Sequence, residues 1–215
     1  MIKKNLPMLI ITSIVIIIPI FIGLLLWNSL PDQIAIHWNA NGDADNYAGK
    51  LFAVFVMPLF ILGIHWICTL ITFADPKKEN IIGKPLTLVL WICPMISLLV
   101  GTLIYVTALG CSVDIAVIIP LVIGVLFVII GNYMPKCRQN YSVGFKLPWT
   151  LSDEEVWNKT HRFGGIVTVI GGVVILATSW LRIIWILLGV TLVLAFIPII
   201  YSYCIYKKKH CKMDS

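Results

Sequence analysis

Apolar runs of membrane-spanning length fill most of this chain, at residues 6–27, 51–73, 85–109, 115–133, 163–180 and 183–206. A helix needs about 20 apolar residues to cross a hydrocarbon core about 30 Å thick, so each run predicts one transmembrane helix. Only Leu181 and Arg182 separate the last two runs. One helix of their combined length would overshoot the bilayer, so they must form a helical hairpin. Two polar segments interrupt the pattern, a longer one at 132–162 and a shorter one at 30–50. Any specific chemistry is expected in these two.

Within the runs, Pro19, Pro58, Pro94, Pro120 and Pro198 predict kinked packing, which neighbouring helices tolerate by re-satisfying the freed carbonyls. The fifth run carries Gly164, Gly165, Thr168, Gly171 and Gly172, a stripe of small residues suited to close helix–helix approach. His65 is essentially the one ionisable side chain inside a run, and it predicts a hydrogen bond to a neighbouring helix.

In the shorter polar segment Ile34, Ile36 and Trp38 alternate with Ala35 and His37, which is strand periodicity. Asn41-Gly42 then marks a turn, because both residues tolerate positive φ. A small ordered hairpin or compact loop follows from this. Asn39, Asn41, Asp43 and Asp45 place oxygens at alternate positions, but Gly42 is misplaced for a calcium loop and no bidentate Glu follows. Turn side chains that cap one another explain the spacing better.

The longer segment holds three acidic and five basic residues, His161, Trp149 and Trp157. Ser152 and Glu155 have capping-box spacing, and Asp153, Glu154 and Glu155 would complement the dipole of a first turn. A helix is expected to start at Ser152, lie in the interface and lead into the fifth span. Trp157, Thr160, His161 and Gly164 would share one of its faces. Trp149 and Trp157 suit the headgroup level.

Charge orients the map. With the N-terminus in the cytoplasm, 14 of the 16 basic residues fall inside and only Lys50 and Arg182 outside, as positively charged cytoplasmic loops require. Segment 30–50 is then extracellular and acidic, with Asp32, Asp43 and Asp45 against Lys50. Segment 132–162 and both termini are cytoplasmic. A composition 60% hydrophobic and 12% charged excludes an ordinary soluble domain. The net charge of +6 then reflects loop bias, and no direct nucleic-acid partner is expected. The 22-residue first run is too long for a signal-peptide core and lacks a small-x-small cleavage site, which predicts a retained anchor. Six cysteines form no Cys-x-x-Cys pair or zinc spacing. No metal or cofactor is expected.

The fold class is therefore an all-α integral membrane protein. It has six transmembrane helices, cytoplasmic termini, a small ordered extracellular loop and an interfacial cytoplasmic helix.

The residues Leu30-Pro31-Asp32, Ile36-His37-Trp38-Asn39-Ala40-Asn41-Gly42, Asp45, Tyr47 and Lys50 resemble the signature of a bacterial membrane domain of unknown function that often precedes the Sdp immunity domain. The second segment carries Gly131-Asn132, Pro135-Lys136, Asn140-Tyr141, Gly144, Pro148-Trp149-Thr150-Leu151, Glu155, Trp157, Thr160-His161-Arg162 and Gly164-Gly165. That set resembles the core motif of the SdpI family. The two signatures divide the chain into a two-span unit (1–73, motif loop 30–50), a four-span unit (85–206, motif loop 132–162) and a basic tail (207–215).

The resemblance implies an immunity protein that protects its producing cell from a secreted, membrane-active peptide toxin. In the family's founding system it also implies recruitment of a small winged-helix autorepressor to the membrane. Partner-binding candidates are His37, Trp38, Asn39, Asn41, Asp43, Asp45 and Tyr47 outside. Inside they are Asn140, Trp149, Glu155, Trp157, His161 and Arg162. Beyond the toxin, the regulator and the bilayer, the sequence sets no partner and no oligomeric state. The alternatives are a small-solute or peptide transporter and an interfacial enzyme. With His65 alone in the spans no proton relay is visible, and Glu154, Glu155 and His161 match no catalytic motif.

Overall fold

The computed structural model describes residues 1–211, save the side chain of Ile2; residues 212–215, including Lys212 of the basic tail, lie outside the described residues. Its elements are α1 (Ile2–Leu25), β1 (Gln33–Trp38), β2 (Ala44–Gly49), a π-helical turn (Phe52–Val56) continuing into α2 (Met57–Ala74), α3 (Lys84–Ala108), α4 (Ile115–Tyr133), α5 (Pro148–Ser152), α6 (Glu154–Thr178) and α7 (Ile184–His210). Among the described residues, six helices are long and apolar enough to cross a membrane.

Two expectations about the longer polar segment need correction. The helix start is not Ser152. That residue ends α5, and its hydroxyl donates to the Trp149 carbonyl at 3.2 Å. The cap is Asp153, whose carboxylate accepts the N–H groups of Glu155 and Val156 at 2.9 and 3.1 Å. A carboxylate satisfies two orphan donors of the first turn and carries the charge that the helix dipole favours. Because α6 begins there, residues 154–162 are the first turns of the spanning helix, and the separate helix is the five-residue α5.

Contacts group the chain into two units, Met1–Phe73 with Thr87–Ile115, and Ala74–Leu86 with the chain from Ala116 onward. In the first, α3 presents Ser97, Gly101 and Tyr105 to α1 at successive fourth positions. Pro19 has no N–H and interrupts the α1 ladder. The Ser97 hydroxyl donates to the Ile16 carbonyl and the Tyr105 hydroxyl to the Pro19 carbonyl, both at 2.8 Å. A Cβ added at Gly101 would lie 2.7 Å from that of Pro19, so the missing side chain sets how closely the helices approach. His65, buried in α2, lies 3.1 Å through Nε2 from the Thr12 hydroxyl. That hydroxyl donates back to the α1 carbonyls of Met8 and Leu9, so the imidazole supplies the proton to it.

The hairpin expected from the alternation is present, with β1 and β2 antiparallel. Gln33 pairs with Gly49, Ala35 with Tyr47, His37 with Asn46 and Trp38 with Ala44; this register leaves Ile36 and Asp45 as bulges. Ile34 is buried with Leu30, Ala53, Val54, Ile104 and Tyr105, which docks the hairpin on the ends of α1 and α3 and on the π-helical turn. Fully burying one such side chain stabilises by about 1.5–3 kcal/mol. Lys50 adds a hydrogen bond to the Trp27 carbonyl at 3.0 Å and lies over the Trp27 ring.

In the second unit the small-residue stripe of α6 is used by close packing. A Cβ at Gly165 would meet the Gly131 carbonyl at 2.7 Å, and one at Gly172 would meet the Gly124 carbonyl at 2.7 Å. Two glycines on α4 thus face two on α6, each pair seven residues apart, and backbone meets backbone. Behind them Gly171 admits Leu194 and Val190 of α7. A 3₁₀ turn at Ser179–Leu181 and Arg182 in the left-handed conformation (φ 57°) connect α6 to α7.

Candidate functional site

The motif loop between α4 and α6 folds around buried polar groups. Asp75, just past α2, is 3% exposed. Its carboxylate accepts the Lys77 N–H at 2.7 Å, the Tyr141 N–H at 2.9 Å and the Ser142 hydroxyl at 2.5 Å. Asn140 is also buried. Its Oδ1 accepts from the N–H groups of Ser142 and Val143, and its Nδ2 donates to the Arg138 carbonyl. Gln139 donates to the carbonyls of Thr150 and Leu151 at 2.9 and 3.0 Å and accepts from the Lys77 ammonium. Asn80 reaches its carbonyl at 2.7 Å. Thr150, fully buried, donates to the Phe145 carbonyl and accepts the Leu147 N–H.

Trp157 and His161 form the wall of this loop. They are one turn apart on α6 and their rings stack with centroids 4.0 Å apart. Trp157 is 0% exposed, and its indole N–H donates to the Cys137 carbonyl at 2.8 Å. It is therefore not a headgroup residue, because its polar atom is consumed within the loop. His161 donates from Nδ1 to the Trp157 carbonyl at 2.9 Å and accepts the Phe145 N–H on Nε2 at 3.0 Å. Both ring nitrogens are satisfied, one as donor and one as acceptor, and this defines a neutral tautomer. Gly144 has φ 110°, and a Cβ there would run into His161 Nε2. The glycine is required twice, for its backbone conformation and for the imidazole beside it.

Trp149 donates from its indole N–H to Ser202 of α7 at 2.8 Å and packs edge-on against Tyr203. At the start of α6, the Lys209 ammonium lies 2.8 Å from both the Asp153 and Glu155 carboxylates, and Lys159 lies 2.6 Å from Glu155. Burial alone would raise the Asp153 carboxyl, but the hydrogen bond from Lys209 and the capping N–H groups outweigh it and hold the carboxyl below its ordinary range. The stability this lends is present above that range and is lost as pH falls through the depressed value. Burial pushes the Cys137 thiol up to about 11, so it is a neutral packing group. Arg162 is exposed, as are Arg138, Tyr141 and Lys146.

The loop thus brings Asn140, Trp157 and His161 together as interior groups. Trp149, Glu155 and Arg162 stay on its periphery. Asp75 and Gln139 are essential to its shape and were not singled out by the sequence, while Thr150 stood in the motif but not among the binding candidates. The available signal was weak, an Asp-Pro pair in a short connection whose partners lie more than sixty residues downstream.

The hairpin is a different kind of site. Asn39 Oδ1 accepts the N–H groups of Asn41 and Asp43 at 2.9 and 3.0 Å, so its oxygen shapes the turn. Asn39, Asn41, Asp43, Asp45 and Tyr47 are exposed, and Trp38 is half-buried. His37 Nδ1 lies 2.6 Å from Asp45 Oδ1, with 65% of the imidazole side chain exposed.

A family model described as the SdpI/YfhL protein family matches residues 136–202, and one described as a domain of unknown function (DUF1648) matches residues 14–62. A curated relative, "Immunity protein SdpI" of Bacillus subtilis (strain 168), is 30% identical over 213 residues, covering 96% of this chain and 97% of its own. No solved structure matches.

Proposed function

This chain belongs to the SdpI/YfhL protein family and is a multi-pass cell-membrane protein, and from that premise we propose that it is an immunity protein protecting its cell from a secreted, membrane-active peptide toxin. The observation that carries the reading is likeness along nearly the entire length of an immunity protein, across both signature segments. In this reading the protein works by binding. The hairpin and its exposed polar residues face outward to meet the peptide, with the termini and the motif loop in the cytoplasm. The distribution of basic residues supports that orientation.

The test is survival of a toxin-sensitive Gram-positive strain expressing the chain, challenged with the family's purified peptide toxin at verified membrane abundance. A large rise in the lethal concentration is expected. The combined variant Trp38→Ala, Asp43→Asn, Asp45→Asn should reduce that rise while leaving abundance unchanged. Full protection by the variant would remove the hairpin from the mechanism.

The finer part of the reading is a cytoplasmic winged-helix autorepressor docked on the motif loop. It is supported by charge. Asp75, Asp153 and Glu155 are engaged by their own neighbours, while Arg138, Lys146, Arg162, Lys207 and Lys208 are exposed.

A further inference from the structure

The hairpin does more than expose polar residues, because its irregular register sets a carboxylate behind one of them. Asp45 has no cross-strand partner. A bulge of this kind re-aims a side chain, and here it carries the carboxylate across to His37, eight residues back in the chain, at 2.6 Å from Nδ1. A carboxylate only accepts, so the neutral imidazole must carry its proton on Nδ1. Nε2 is then left as a lone pair, on a largely exposed ring and with no hydrogen-bond partner among the described residues. The same arrangement, a carboxylate behind an imidazole, fixes ring orientation and raises basicity in metal-ligating histidines.

We propose that His37 Nε2 is the acceptor through which the hairpin recognises its peptide partner, and that Asp45 acts behind it as a positioning residue. This inference rests on the immunity reading and deepens it. The partner supplies a hydrogen-bond donor to an imidazole whose orientation Asp45 holds.

Asp45→Asn separates this role from simple charge. The amide of asparagine offers Nδ1 either a donor or an acceptor, so the ring proton is no longer held on Nδ1 and Nε2 is an acceptor only part of the time. Asp32→Asn changes the hairpin's charge by the same amount. Its carboxylate is fully exposed and 3.7 Å from Lys50. The measurements are survival under the purified family toxin, binding of that peptide to each variant in nanodiscs, and the ring-nitrogen NMR shifts of His37.

The wild type is expected to show an Nδ1–H tautomer. His37→Ala and Asp45→Asn should each weaken peptide binding by roughly two- to tenfold, as for a hydrogen bond between neutral groups, with Asp32→Asn close to wild type. His37→Gln, whose terminal amide falls near the Nε2 position, should recover part of the loss. Equal losses in Asp32→Asn and Asp45→Asn would overturn the proposal in favour of charge alone. So would a protecting wild type in which His37→Ala and Asp45→Asn, present at normal abundance, protect fully. That outcome leaves the immunity reading standing, whereas a wild type that fails to protect removes both.

Discussion

Gly131→Leu is expected to be the most damaging single substitution in the spans. A Cβ at this position would sit 2.7 Å from the Gly165 carbonyl oxygen and 2.8 Å from the Val169 backbone nitrogen. Both obstacles are main chain, so no rotamer change relieves them and the axes of α4 and α6 must separate. Separation also opens the Gly124–Gly172 contact two turns away. Overpacking costs about 1–3 kcal/mol when side chains can yield, and rigid backbone on the far side puts this case at the upper end or beyond. For a chain of this length, about 3 kcal/mol corresponds to a fall of roughly 6–12 °C in the apparent thermal midpoint. The measurement is the fraction remaining monodisperse in detergent after heating. Gly189→Leu is the comparison, since nothing lies within 4 Å of a Cβ there. It should leave the midpoint unchanged, and equal damage in both variants would mean the glycine pairs do not hold α4 against α6.

Asp75→Ala should collapse the motif loop without touching any motif residue. It removes the acceptor that Asp75 offers to the Lys77 and Tyr141 N–H groups and to the Ser142 hydroxyl. Each buried donor left unmet costs about 1–3 kcal/mol, reduced where water enters. Asp75→Asn is the sharper variant. It preserves shape but replaces one accepting oxygen by a donor that faces donors. Both are expected to speed proteolysis within 137–147 markedly and to lower membrane abundance, with Asp75→Asn intermediate. Cleavage at the wild-type rate in Asp75→Ala would show that Asn140 and Gln139 suffice to hold the loop.

The spans were legible because lipid imposes one simple demand, a run of apolar residues of fixed length, and that demand leaves a local trace. The hairpin was legible because Ile34, Ile36 and Trp38 alternate and Asn41-Gly42 turns. The register was not, since the bulges at Ile36 and Asp45 depend on how Ile34 seats on the helices. The motif loop was half-legible. Trp157, Thr160 and His161 were placed on one face correctly, but Trp157 was expected at the headgroups and is buried. Indole amphipathicity fits either a headgroup or a buried acceptor, and only the fold supplies the Cys137 carbonyl. Ser152 and Asp153 both suit an N-cap by composition. The choice between them depends on α5, which uses Ser152 to finish its own turn. Asp75 left only a weak local trace, the Asp75-Pro76 pair, because two of its three partners, Tyr141 and Ser142, come from distant sequence.

The π-helical turn at Phe52–Val56 has a consequence for how this chain tolerates a change in length. A π turn holds one more residue than the α turn it replaces. Removing one residue within 52–56 lets the turn close as ordinary α-helix, so the faces of α2 after it and the end of β2 before it keep their directions. The same deletion lower in α2 would rotate every later side chain by about 100° and turn His65 away from Thr12. A one-residue deletion at the start of the second span therefore has one place where the later faces of α2 keep their directions, the turn where Ala53 and Val54 meet the hairpin core.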